Sequence, residues 1–165
     1  MTNGIFHSPS KSDVELDELI DLIKAFVESD QDAQYKLTIG SDSEIKHLAD
    51  RGTVLNVITA VVIHKKGRGG KYFWKKKVVE NVKTLRNKIY HEVFSSLDTA
   101  KELVPKLKTK ILNTSYDLEI HVDVGEKGET KDMINEVVGV ITGNGFIART
   151  KPESYAASSV ADKYA

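Results

Sequence analysis

Cysteine is absent from the 165 residues. That absence excludes disulfides, thiolate zinc sites, iron–sulfur clusters and a cysteine nucleophile together. Long hydrophobic runs are missing too. The longest, Val57 to Ile63, is interrupted by Thr59 and falls far short of the roughly 20 residues that cross a bilayer. The first residues, MTNGIFHSPSKSD, have neither the basic start nor the apolar stretch of a secretory signal. No internal repeat or low-complexity segment is present. With 40% hydrophobic and 29% charged residues, the composition is that of a globular chain, and the length suits one domain over residues 1–165. A soluble, cytoplasmic protein is expected.

Net charge is also lacking, because 24 Lys/Arg balance 24 Asp/Glu. The balance is uneven along the chain. Residues 1–63 carry 5 basic against 11 acidic residues, 64–88 carry 10 against 1, and 89–165 carry 9 against 12. A near-neutral chain with one concentrated basic segment points to a local polyanion contact. The plainer account is a hairpin whose lysines keep an edge strand soluble.

Ser12 has the position of a helix N-cap, with Glu15 completing a capping box. Leu16, Leu19, Ile20, Ile23, Phe26 and Val27 then follow helical spacing, giving a helix over 13–28. A strand from Tyr35 is expected to end near Asp42, followed by a polar loop over 43–53. Val54–His64 is a second strand, too apolar for an edge. KKGRGG (65–70) is a turn, and Lys71–Val79 is a third strand. Residues 82–112 read as helix, with a kink or break at Pro105 and Asp98 available to cap a second segment. The strand Leu118–Val124, the loop 125–129, a helix over Thr130–Val140 and a short strand Phe146–Lys151 follow. Pro152 stops that strand, and Ser158 or Ser159 would cap a last helix. A meander followed by αβαβ makes a mixed α/β sheet, with its fourth and fifth strands parallel to the first.

Strand parity places the candidate chemistry. In the first strand Tyr35, Leu37 and Ile39 share one face, which puts Asp42 on the other with Lys36 and Thr38. In the fourth, Leu118, Ile120 and Val122 share a face, which puts Asp123 with Glu119 and His121. If these strands are parallel neighbours, the two carboxylates meet beyond the carboxyl end of the sheet, where open α/β sheets bind ligands. A divalent cation relieves their repulsion, and a hard ion such as Mg²⁺ or Mn²⁺ selects such oxygens. Each aspartate alone is also explained as a strand-end turn residue.

The segments YKLTIGSDSE (35–44), TLRNKIYHE (84–92), LEIHVDVGEKGET (118–130) and IARTKPESYAASSVADKY (147–164) resemble those of the YkuK-type ribonuclease H-like family of bacteria. The resemblance runs from about residue 5 to the C-terminus, and KPESYAASS is its most distinctive piece. It implies a ribonuclease H-like fold with strand order 3-2-1-4-5 and an added N-terminal helix. In that superfamily acidic residues hold two divalent metals about 3.5–4 Å apart. The resemblance puts Asp42 and Asp123 at the ends of the first and fourth strands. It offers Glu92 on the helix after the meander, with Glu80 as substitute, and Asp162 on the C-terminal helix, with Glu153 as substitute. Two departures stand out. Glu92 lies well inside its helix, and Asp162 follows Ser159 by three residues, where an acid can simply complete a cap.

Other residues carry less. His121 could be a ligand or proton carrier, but reads more plainly as a surface histidine. His91 points about 100° around the helix from Glu92. The serines of SYAASS have no nucleophile context, and the glycines of KGRGG and GEKG fit no phosphate loop. In the basic hairpin, Tyr72, Phe73 and Trp74 interleave with lysines. Arg68, Lys75 and Lys77 are the expected phosphate contacts, with an exposed aromatic stacking on a base.

The expectation is therefore a Mg²⁺- or Mn²⁺-dependent nuclease acting on RNA or DNA through Asp42, Glu92, Asp123 and Asp162. The alternatives are a non-catalytic module that holds nucleic acid through residues 64–88, or a protein-interaction domain whose basic hairpin meets an acidic partner. Oligomeric state is left open by the sequence.

Overall fold

The apolar stripe from Ile89 to Leu107 forms one long helix that packs on the sheet. The structure, a computed structural model, describes residues 4–50, 52–112, 116–126, 128–154 and 156–165. The elements in chain order are α1 (Leu16–Glu28), β1 (Tyr35–Leu48), β2 (Gly52–Lys65), β3 (Gly70–Glu80), α2 (Leu85–Lys110) and β4 (Tyr116–His121). A 3₁₀ turn (Lys131–Met133), α3 (Ile134–Gly143), β5 (Ile147–Arg149), a π-helical turn (Ala156–Ala161) and α4 (Asp162–Tyr164) complete the chain. The five strands form one mixed sheet, ordered β3-β2-β1-β4-β5. β1–β2 and β2–β3 are antiparallel, and β1–β4 and β4–β5 are parallel. This is the order and sense of pairing expected.

The two faces of the sheet are covered unequally. Ile89, Val93, Leu97, Ala100, Leu103 and Leu107 of α2 are all buried, and they pack with Leu37, Ile39, Val61, Ile63 and Phe73 of the sheet. α1 and α3 extend the same core through Leu19, Ile20, Ile23, Val137 and Ile141. The opposite face is covered by the C-terminal segment, where Ala161, Trp74, Val160 and Tyr164 pack with Ile58 and Ala60. Leu103 is fully buried, so Leu103→Ala is expected to cost about 2–5 kcal/mol, read from the midpoint of chemical denaturation. A loss well under 1 kcal/mol would show that α2 does not anchor the fold.

Several boundaries differ from expectation for identifiable reasons. Residues 43–48 and 52–53 are strand and not loop, and Arg51 lies outside the described residues. β1 runs on to Leu48 and β2 begins at Gly52, closing a hairpin whose last pair is Leu48↔Gly52. This end projects past the core and is exposed from Glu44 onward except at half-buried Lys46, so no apolar alternation marks it. Asp42 therefore lies inside a strand, at the point where neighbouring β4 has ended. α1 starts at Leu16, and its N-cap is Glu15 with no side-chain cap bond, not Ser12. Asp13 adopts a positive φ of 60°, and Val14 turns back to pair with Phe6, which takes Ser12 away from the helix end.

α2 passes through Pro105 unbroken, and Asp98 lies within it, capping nothing. Pro105 and Lys101, whose carbonyl loses its helical partner, are both on the exposed side, where water satisfies that carbonyl. Thr84 is the cap, its hydroxyl accepting from the Asn87 amide at 3.1 Å. Ser159 falls within the π-helical turn and is not a cap. The Ser158 side chain lies outside the described residues.

Candidate active site

Parallel pairing of β1 with β4 carries the first two acids to the same end of the sheet. The register ends at Gly40↔His121, so Asp42 and Asp123 each lie two residues beyond the last pair. Glu92 approaches from α2. It is 3% exposed, and its Oε1 accepts from Ser43 Oγ at 2.5 Å and from Lys88 Nζ at 3.0 Å. Its other oxygen, Oε2, is buried with no hydrogen-bond partner among the described residues. Asp162 comes from the opposite side of the sheet, at the start of α4, and its carboxyl hydrogen-bonds Asp42.

These placements couple the four acids electrostatically. Asp42 is pushed up to about 7, first by burial, then by the hydrogen bond to Asp162 and by the charge of Glu92. Two carboxyl groups can share a hydrogen bond only if one keeps its proton, and Asp42, with its raised value, keeps the one it donates to Asp162. Glu92 is also raised, chiefly by burial and further by Asp123, while Lys88 and Ser43 oppose the shift. Asp123 pairs with Lys151 Nζ at 2.8 Å. Glu80 and Glu153, the substitutes, are both exposed. Neither is among the groups that shift Asp42 or Glu92.

Among the described residues no three His, Asp or Glu side chains stand close enough together to enclose a metal ion. The chemistry of the donors nevertheless suits a divalent cation. All are carboxylate oxygens, one buried oxygen of Glu92 has no partner, and Asp42 keeps a proton that a cation would displace.

A polar cluster under the C-terminal segment holds Asp162 in place. His121 is buried, contrary to its reading as a surface residue, and its Nδ1 accepts from the Ala156 amide at 3.2 Å. Its Nε2 meets Glu119 Oε1 at 3.2 Å, and Glu119 also binds Arg149 at 2.9 Å and Lys36 at 3.6 Å. Burial alone would raise Glu119, but Arg149, His121 and Lys36 override it and hold its carboxyl low. His121 is held below its ordinary value, chiefly by burial, which keeps the imidazole neutral and Nδ1 free to accept. Sequence parity put Glu119 and His121 on this face, but not the C-terminal segment that covers them.

The same segment is clamped by aromatic rings. Tyr164 stacks on Trp74 with centroids 3.7 Å apart and planes at 10°, and its hydroxyl meets that of Tyr72 at 2.9 Å. The hairpin aromatics thus serve the C-terminal end of the chain. Trp74→Ala is expected to free α4, to expose the C-terminal segment to limited proteolysis, and to let Asp42 titrate at lower pH by NMR as Asp162 leaves. An unchanged Asp42 titration would show that the ring stack does not position Asp162.

The basic residues are distributed along the sheet. In register, Lys77 pairs with Val57 and Lys75 with Thr59, the rows of Ser43 and Ser41. Both lysines line a groove of about 770 Å³ between β3 and α2, with Ser95, Asp98, Lys101 and Glu102. The Lys75 amine lies 5.2 Å from the centre of the Phe6 ring, and burial lowers its pKa. Arg68 lies at the other end of the sheet, in the turn beside the Tyr35↔Lys65 pair. That is the length of Tyr35–Asp42 away from the acids, about 23 Å, so the structure does not bring Arg68 to the site.

Comparison with known sequences identifies the family. The profile of the family described as Ribonuclease H-like matches residues 18–165. The chain belongs to the ribonuclease H-like family. Within it the chain is of the YkuK type. The uncharacterised protein YkuK of Bacillus subtilis (strain 168) is 32% identical over 170 positions, which cover 97% of this chain and 96% of YkuK. No solved structure matches. Among the described residues no helix of this ribonuclease H-like chain is long and apolar enough to cross a membrane.

Proposed function

We propose that this ribonuclease H-like protein hydrolyses phosphodiester bonds in RNA or DNA with Mg²⁺ or Mn²⁺ as cofactor. The observation that carries the reading is that Asp42 and Glu92 meet at this end of the sheet, both raised chiefly by burial, Asp42 further by Asp162 and Glu92, and Glu92 further by Asp123. Perturbed, mutually coupled carboxyls at the carboxyl end of a sheet mark functional sites more often than structural ones. Asp42, Glu92, Asp123 and Asp162 would hold the ions. Bound there, a pair of divalent ions supplies activated water and stabilises charge on the leaving oxygen.

The chain's own groups prepare that chemistry. Ser43 and Lys88 fix Glu92 Oε1 and leave Oε2 available. Asp42 would give up its proton to serve as a charged ligand beside Asp162. His121 and the Trp74–Tyr164 stack hold the C-terminal segment over the sheet. Lys75 and Lys77 would meet substrate phosphates along the β3–α2 groove. The experiment is cleavage of labelled single- and double-stranded RNA and DNA with Mn²⁺ or with a chelator. Metal-dependent cleavage of any of them supports the reading, and no cleavage of all four contradicts it.

A second reading is a non-catalytic module that holds nucleic acid through residues 64–88. The lysine-lined groove favours it, and it predicts metal-independent binding that weakens steeply with salt. Binding indifferent to salt and to charge reversal at Lys75 and Lys77 would end it.

A further inference from the structure

Two of the four acids are already paired with cations supplied by the chain. Lys88 Nζ lies 3.0 Å from Glu92 Oε1, with the Lys88 side chain 22% exposed. Its charge also acts on Asp42, so one ammonium serves both carboxyls. Lys151 Nζ lies 2.8 Å from Asp123 Oδ1, an ion pair without hydrogen-bond alignment, since that buried oxygen has no hydrogen-bond partner among the described residues. Its stem is packed against the backbone opposite, where a Cβ on Gly125 would stand 3.0 Å from Lys151 Cβ. Lys88 reaches its acid from one turn earlier on the same helix, and Lys151 reaches its acid from just after β5. With both ammoniums in place, no three acids among the described residues are gathered closely enough for a metal.

We propose that Lys88 and Lys151 are built-in counter-cations that compete with divalent metal for Glu92 and Asp123, so that metal loading is coupled to a polyanion drawing the two ammoniums away. This inference rests on the metal-dependent reading of the site. An ammonium held against a carboxylate offsets the charge that attracts Mn²⁺, and separating the pair is part of the cost of loading. Substrate phosphates are strong acceptors for lysine. A phosphate backbone that takes Lys88 and Lys151 leaves Glu92 and Asp123 uncompensated, and a divalent ion then restores neutrality. The coupling is reciprocal, so bound metal also releases both lysines toward phosphate. The device makes metal binding weak in the free protein and tight on substrate.

The test is calorimetric titration of Mn²⁺ alone into the full chain, with no nucleic acid and no activity readout. Lys88→Met/Lys151→Met keeps the stems and removes both charges. Lys88→Arg/Lys151→Arg keeps the charges. Lys66→Met/Lys108→Met removes two charges elsewhere, and thermal melting confirms that each variant is folded. The Met pair at 88 and 151 is expected to bind Mn²⁺ about tenfold more tightly than wild type, with the Arg pair and the distant pair close to wild type. Equal or weaker affinity in that Met pair, beside measurable binding by wild type, overturns the competition and leaves the metal-dependent reading standing. A gain matched by the distant pair also overturns it, because net charge alone would then explain the effect. Absence of Mn²⁺ binding in all four proteins overturns both.

Discussion

Asp42→Asn is expected to lower metal-dependent phosphodiester cleavage by roughly a thousandfold or more, the several kcal/mol that metal-held charge stabilisation supplies, while leaving the protein folded. Asp42 is the acid most tightly tied to the others. It shares a hydrogen bond with Asp162 and feels the charge of Glu92. An amide at this position keeps the shape and can still hydrogen-bond Asp162, but it offers a divalent ion no charge. Asp123→Asn removes the acid in the matching position just after β4 and carries the same expectation. Activity retained in both variants would remove the proposed site from the mechanism.

The same substitution has a second effect, of opposite sign, on stability. The ordinary aspartate value of 3.8 is raised to about 7 in the folded protein. The fold therefore favours the protonated form of Asp42. The stabilisation from holding that proton is fully present below pH 4, declines as pH rises from 4 to 7, and is gone above it. At pH 8 the native state carries an ionised, buried Asp42 beside other acids. Asn cannot ionise, so Asp42→Asn is expected to be more stable than wild type at pH 8, by an amount of the order of a few kcal/mol, and to lose this advantage at pH 4. Divalent metal should narrow the difference. Mn²⁺ at a hundred times its Kd would raise wild-type stability at pH 8 by about 2.7 kcal/mol and leave Asp42→Asn unmoved. Thermal melting across pH, with and without Mn²⁺, reads all of this. Equal melting of the two proteins at pH 8 would show that Asp42 is not the strained group of the site.

How far the sequence revealed this arrangement depended on how much of each element is buried. The stripe from Ile89 to Leu107, the alternation of Tyr35, Leu37 and Ile39, and the run Val54–His64 all face the core, and each marks its element plainly. The overhanging hairpin from Glu44 to Thr53 does not, because its side chains mostly meet water and only tertiary pairing makes it a strand. Ser12 failed as a cap because Val14 pairs with Phe6, a contact that local spacing does not record. Pro105 fits inside α2 because the carbonyl it orphans faces solvent.

In the site, strand parity and the expected parallel pairing led to Asp42 and Asp123, which the β1–β4 register carries to one end of the sheet, whereas Glu92 and Asp162 rested on family resemblance. Lys88 had a visible signal, four residues before Glu92 on a helix. Lys151 had none, since only the β4–β5 register carries it to Asp123. His121 looked exposed because the segment that buries it arrives from the far end of the chain.

The most direct measurement is calorimetric titration of Mn²⁺, into the millimolar range, into wild type and Asp123→Asn. The account predicts saturable binding by wild type that is lost in the variant, because Asp123 would be one of the ligands that Asp42, Glu92 and Asp162 complete. Undiminished binding by Asp123→Asn, or none by a folded wild type, would contradict it.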